Sequence, residues 1–237
     1  MEWKTDALVI RTTDYNENDK ILTLLTPTGK VTAGIRGVRK PKAKLGFCAQ
    51  PFCFAEYTLA KKGERNTVLS AYLYDAFYEL RTDVLSYYAA CTVAEICDCL
   101  FFDQTDARAV LVAAIECLKG LSMTEQDCVE LVVTFAVVAL QESGYALDLG
   151  GCGVCGGDLG ETPYFDLETG CFTCSDCAKG VRAKKETYAF LQKCSGLEYA
   201  SCEFADARKR ALRLIRSYLM EKTEEEYPCF GEFIRLI

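Results

Sequence analysis

Histidine is absent from this 237-residue chain, and its absence removes whole classes of chemistry. Ser-His-Asp and Cys-His nucleophilic catalysis both need an imidazole, as does every metal site that mixes cysteine with histidine. Long apolar runs are missing too. Leu131 to Leu140 is the longest, and Thr134 already interrupts it, far short of the roughly 18 residues that cross a bilayer. Glu2, Lys4 and Asp6 stand where a secretory signal would carry its apolar core. The expectation is a cytoplasmic protein with no membrane partner. No G-x-x-x-x-G-K-S/T loop is present, so ATP hydrolysis of that type has no support. Carboxylate pairs such as Asp103 and Asp106 lack an acid–base or metal context, and Glu224-Glu225-Glu226 reads as a solvated run. The chain reads as a non-enzyme.

What is present is a foldable composition, with 50% hydrophobic and 26% charged residues, in a length suited to one or two domains. Fifteen cysteines, an odd number, occur without a signal peptide. In a reducing compartment these are thiols or metal ligands and not a disulfide framework. The formal charge of −7 is unevenly spread: residues 1–80 carry +3, residues 81–178 carry −13 and residues 179–237 carry +3. Between Asp19 and Glu56 there is no acidic residue, while Lys20, Lys30, Arg36, Arg39, Lys40, Lys42 and Lys44 are all cationic. Such a block creates a local positive potential whatever the total, although an ordinary solvated loop has the same composition. A second candidate patch lies among Arg208, Lys209, Arg210, Arg213 and Arg216, where Lys209, Arg213 and Arg216 share one helical face. A solvated helix face accounts for it equally well.

Five short segments rich in β-formers fill the first 80 residues: Ala7–Arg11, Ile21–Thr26, Lys30–Arg36, Phe52–Leu59 and Thr67–Tyr74. Turns separate them at Asp14-Tyr15-Asn16, Pro27-Thr28-Gly29, Gly37 through Gly46 and Lys61-Lys62-Gly63. Five strands in this length predict a small closed barrel of OB-fold size, since closure removes exposed edges. Phe47 and Phe52 are expected in its core. Beyond Leu80 the apolar period becomes helical, and helices are predicted from Thr82-Asp83, over 106–119, over 124–143, over 187–194 and over 204–220. Cys91, Cys97, Cys117 and Cys128 fall on apolar faces as small core residues. The expected fold class is α+β: a five-stranded OB-fold barrel domain over 1–80, then a helical bundle domain over 81–237 with an inserted four-cysteine zinc-binding module at about 150–180.

Cys152-Gly153-Val154-Cys155 and Cys174-Ser175-Asp176-Cys177 form two C-x2-C pairs at the spacing of a four-cysteine zinc site. Each short turn aims two sulfurs at one ion, and four thiolates leave no open position, so the zinc would be structural. Cys171 with Cys174 makes a competing pair; Cys174 with Cys177 is preferred.

Asp14-Tyr15, Glu17 and Asp19-Lys20 precede an apolar strand ending in Thr26. Gly37-Val38-Arg39-Lys40-Pro41-Lys42-Ala43-Lys44-Leu45 and Gln50-Pro51-Phe52 follow, then a helical region and the C-x2-C pair. Over nearly its whole length this order resembles the RecO family of bacterial DNA repair and recombination proteins. The resemblance implies an OB-fold, a helical domain and, in many members, a zinc element between helices. It implies annealing of complementary strands and binding of single- and double-stranded DNA, for which the domain over 1–80 is the expected DNA-binding domain and Lys20, Lys30, Arg36, Arg39, Lys40, Lys42 and Lys44 the expected contacts. It also implies work with RecR, and often single-strand-binding protein, in loading RecA onto coated single strands at the nucleoid. Ala43 stands where the family often has Ser, and Cys171 where it commonly has Gly. Two other readings remain at this stage: a zinc-ribbon protein binding RNA or the transcription machinery, and a redox or electron-transfer protein using the cysteines.

Overall fold

Along Phe54–Lys62 (β4) Ala55, Tyr57 and Leu59 are buried and alternate with half-exposed neighbours, the period of two that a one-sided strand requires. A computed structural model describes residues 1–123, 127–197 and 205–237. In it β4 joins Glu2–Tyr15 (β1), Asp19–Thr26 (β2), Gly29–Ile35 (β3) and Arg65–Asp75 (β5) in a closed barrel of order β1-β2-β3-β5-β4. All pairings are antiparallel except β3 with β5, which is parallel at Ala33–Asn66 and Gly34–Thr67. This is the expected OB-fold barrel.

Each of the five expected segments is a strand, but β1 is far longer than the Ala7–Arg11 core legible in the sequence. Its first half pairs with β4 through Glu2–Leu8 and its second with β2 through Leu8–Tyr15, with a register shift at Val9/Arg11. The bulge bends one strand into two pairings. Only Ala7 to Ile10 is continuously buried; the charged stretches around it look like loop until the partner strands are known. The core gathers Val9, Leu22, Leu24, Ile35, Ala55, Tyr57 and Leu59. Cys48, Ala49 and Cys53, which lead back from the basic loop, complete it.

Compact packing divides the chain into Met1–Thr124 and Glu125–Ile237. The first unit therefore includes Val84–Leu100 (α1) and Arg108–Leu121 (α2), although the change from strand to helix falls near residue 80 as composition indicates. The physical tie is the β2–β3 turn. Lys30 N–H donates to Phe102 O at 3.0 Å and Ala107 N–H to Pro27 O at 3.1 Å. A Cβ on Gly29 would strike Phe102 O, so the positive-φ glycine is required there.

The second unit contains Cys128–Glu142 (α3), Lys185–Cys194 (α4), Ala205–Thr223 (α5) and Pro228–Leu236 (α6). It also holds a small sheet of Tyr164–Asp166 (β6), Cys171–Thr173 (β7) and Val181–Arg182 (β8) in the order β7-β6-β8. Helix α3 is buried nearly all round, Thr134 being exposed mid-helix and Gln141 and Glu142 at its C-terminal end. Its expected start at Thr124 lies outside the described residues; Asp127 is the N-cap, accepting from the Val129 and Glu130 N–H groups. Phe204, the expected start of α5, also lies outside them. Helix α6 was not anticipated: it is short, follows the exposed glutamates, and becomes helical by placing Pro228 in its first turn and burying Phe230, Phe233 and Ile234.

Candidate nucleic-acid interface and four-cysteine cluster

The basic loop is built as consecutive turns on a stapled base. Gly37 N–H donates to Asp19 Oδ1 at 2.8 Å and Arg39 N–H to Asn18 O at 3.1 Å, tying the loop to the β1–β2 turn. Lys40 N–H then bonds Gly37 O, Ala43 N–H bonds Lys40 O, and Gly46 N–H bonds Ala43 O. Leaving the loop, the turn Gly46–Ala49 drops Cys48 and Ala49 into the barrel, where the Tyr57 hydroxyl donates to Cys48 O at 2.7 Å. Burial pushes the Cys48 thiol up to about 12, and raises that of Cys53, so both stay protonated and inert.

The seven cations expected to bind DNA are differently placed. Arg36, Lys40, Lys42 and Lys44 are exposed and form no ion pair among the described residues. Arg39 is exposed but shared, its guanidinium 3.3 Å from an Asp14 carboxylate oxygen and 3.3 Å from Asn16 O. Lys20 is mostly buried, with its ammonium 4.0 Å from Asp14. Lys30 points elsewhere: its ammonium meets Asp98 Oδ1 at 2.8 Å and Asp98 O at 2.5 Å, and lies over the Phe102 ring. Beside the loop a groove is lined by Tyr15, by the cations Lys20, Arg36 and Arg65, and by the carboxylates of Asp19 and Glu64. It occupies the β2–β3 face between the β1–β2 and β4–β5 loops, the surface on which OB-folds hold oligonucleotides. Lys61, Lys62 and Arg65 at the β4–β5 turn are exposed and unpaired among the described residues. Sequence reasoning took this turn only as a strand break; two lysines beside a turn that flanks the groove were the available signal. Tyr15 is half exposed, and so is Phe47, which leaves the core it was expected to join; Phe52 is buried, but outside the barrel cluster, with its ring edge-on to Tyr87 of α1.

In the second unit the sulfurs of Cys152, Cys155, Cys174 and Cys177 all lie within 4.8 Å of one another, with Cys155 and Cys174 at 3.9 Å. Sulfurs on one tetrahedral ion at about 2.3 Å stand about 3.8 Å apart, so the donor set fits a metal ion. Gly156 N–H donates to Cys152 O and Cys177 N–H to Cys174 O, closing the two turns, and Gly156 supplies a positive φ of 72°. Backbone N–H groups, first that of Cys155 and then that of Cys174 at 3.4 Å, lower the Cys152 thiol to about 6, while the neighbouring Cys174 sulfur pushes the Cys177 thiol up to about 12. Cys171 lies outside the four-sulfur group. Its Sγ is 3.0 Å from Thr169 Oγ1, and it packs where a Cβ on Gly153 would sit.

The family model described as Recombination protein O N terminal matches residues 1–77, and that described as Recombination protein O C terminal matches residues 81–228. The DNA repair protein RecO of Acetivibrio thermocellus is 27% identical over 245 residues, spanning 99% of this chain and 96% of that protein. That of Dehalococcoides mccartyi is 31% identical over 179 residues, 74% of this chain and 70% of its own length. That of Clostridium perfringens is 27% identical across 99% of this chain and 98% of itself. The chain belongs to the RecO family of DNA repair proteins.

The RecO N-terminal match takes in all five barrel strands, and the C-terminal match contains the cysteine cluster and helices α1 to α5. The second cationic set of this RecO-family chain is divided by its packing. Arg213 is exposed and lines a groove with Arg182, Lys184 and Arg210. Lys209 is half-buried. Arg216 is turned toward the start of α6, donating to Tyr227 O at 3.2 Å and lying 4.0 Å from Glu226.

Proposed function

We propose that the barrel domain, residues 1–80, binds single- and double-stranded DNA through the β2–β3 groove and the basic loop. One observation carries this reading: Arg36 lines an OB-fold groove and Lys40, Lys42 and Lys44 follow on the loop that leaves it, all four in solvent with no carboxylate partner among the described residues. Unpaired cations release condensed counterions when they meet phosphates, giving affinity without sequence preference. Lys20, Arg39, Lys61, Lys62 and Arg65 extend the same positive track. Tyr15 and Phe47 offer exposed rings on which unpaired bases stack. Lys30 contributes by holding the β2–β3 turn. Arg213, with Lys209 beside it, is a second point for phosphate contact.

Holding strands of any sequence is what annealing needs. In this reading the protein anneals complementary strands and, with RecR and single-strand-binding protein, helps RecA onto coated single strands in the bacterial cytoplasm at the nucleoid. No covalent step is required. Among the described residues the carboxyls with displaced pKa values, Asp83 and Asp166, are both shifted down, toward permanent charge and away from acid catalysis. Zn2+ is the proposed ion of Cys152, Cys155, Cys174 and Cys177; four thiolates give it a closed, structural shell that folds the module.

The test is oligonucleotide binding as a function of salt, followed by annealing of strands coated with single-strand-binding protein, with and without RecR. Charge reversal at Lys40 and Lys42 should weaken binding and flatten the log–log salt slope by about 0.7 to 0.9 per lost phosphate contact. An unchanged slope would remove the loop from the interface.

A further inference from the structure

Strand β5 pairs with β4 along its length but meets β3 only at Asn66 and Thr67. Past that point, through Tyr74, among the described residues no strand lies beside its other edge and no backbone group elsewhere bonds to it. In a ladder, alternate residues turn N–H and C=O away from the paired strand, and here no described backbone group meets them. Leu69, Tyr72, Leu73 and Tyr74 are exposed by 46%, 68%, 36% and 47%. Open edges are usually protected by charge, proline or a short strand. The start of β1 also pairs on one side only, and it carries Glu2, Lys4 and Asp6. In contrast, Asn66 to Tyr74 contains no charged residue, glycine or proline.

We propose that this edge, Leu69 to Tyr74, accepts an added β-strand from a partner protein, an extended segment alternating basic and apolar side chains. Its main chain completes the ladder and its apolar side chains pack on the aromatic shelf beside the edge. That shelf is Tyr72 edge-on to Tyr74 at 5.7 Å and Phe54 against Tyr74 at 5.0 Å. Charge selects the occupant. Asp75 ends the strand, Glu79 is exposed just beyond, and Asp6 accepts from the Tyr74 hydroxyl. Lys4 and Glu56 neutralise each other at 2.7 Å, and Arg81, held by the carbonyls of Pro51, Ala76 and Phe77, is one cation against the three carboxylates of Asp6, Asp75 and Glu79. An acidic rim repels phosphate, and a second copy would bring the same carboxylates against it; a basic strand complements it.

Hydrogen exchange on the full chain tests this, using an acetylated octapeptide of alternating lysine and valine as the probe. Amide exchange over residues 69–74 should slow about tenfold or more with that peptide. The slowing should vanish when the peptide is N-methylated at alternate amides, when glutamate replaces lysine, and in Tyr72→Lys. Oligonucleotide affinity should be unchanged in Tyr72→Lys, so failure here is separable from failure of the DNA-binding reading. Three results overturn the proposal: no slowing at 69–74, equal slowing with the N-methylated peptide, or a concentration-dependent dimer that Tyr72→Lys abolishes.

Discussion

Lys30 and Lys42 both lie in the acid-free stretch between Asp19 and Glu56, yet the structure gives them different surroundings. Lys30 is mostly buried and bonded to the Asp98 carboxylate and carbonyl, whereas Lys42 is exposed on the loop with no ion pair among the described residues. Lys30→Ala should therefore lower stability in urea denaturation by on the order of 1–3 kcal/mol, as a charge-assisted bond is lost and Asp98 is left with only Arg11, at 3.3 Å, as its cation. Lys42→Ala should stay within about 0.5 kcal/mol while measurably weakening oligonucleotide binding. One-dimensional charge counting cannot make this distinction, because Asp98 is 68 residues away in sequence. The same holds for cysteine. Cys174→Ser should abolish stoichiometric metal in the purified protein and Cys171→Ser should retain it, since only the former's sulfur lies within the group of four.

Helix α1 shows how much a single element owes to local chemistry. Thr82-Asp83 marks its start in the sequence, and the Asp83 carboxylate accepts from Ser86 N–H at 2.7 Å. This bond, with a second from the Ser86 side chain, lowers the Asp83 pKa below its ordinary 3.8. Because the folded value is the lower one, the cap's contribution is complete above about pH 4 and disappears as pH falls through the folded value. Asp83→Ala should cost about 1 kcal/mol at neutral pH. It should also flatten the acid limb of the stability curve, and thermal unfolding between pH 3 and 7 would show both. Strand β1 is the opposite case. Its ends carry Glu2, Lys4, Asp6 and Asp14, and only the pairing with β4 and β2 makes them strand. Helix α6 likewise needs a core to bury Phe230 and Phe233.

At the scale of the whole molecule, two compact units separate the barrel from the cysteine cluster. Prolonged chelation should therefore unfold the region around 150–180 while leaving much of the oligonucleotide affinity intact. Circular dichroism and binding measured on the same chelated sample would check this, and complete loss of binding would tie the two units together. The amino-acid sequence by itself determined the five-strand barrel, most of the helices, the two C-x2-C turns and the positive block, because each depends on neighbours within a few residues. Alternation, capping and turn chemistry are local, and so is the pairing of ligands across two residues. The tertiary structure alone decided which lysines are free, which of two cysteine registers converges, where α1 and α2 belong, and that one edge of β5 stays open. Those outcomes depend on distances between residues remote in sequence, which no local pattern encodes.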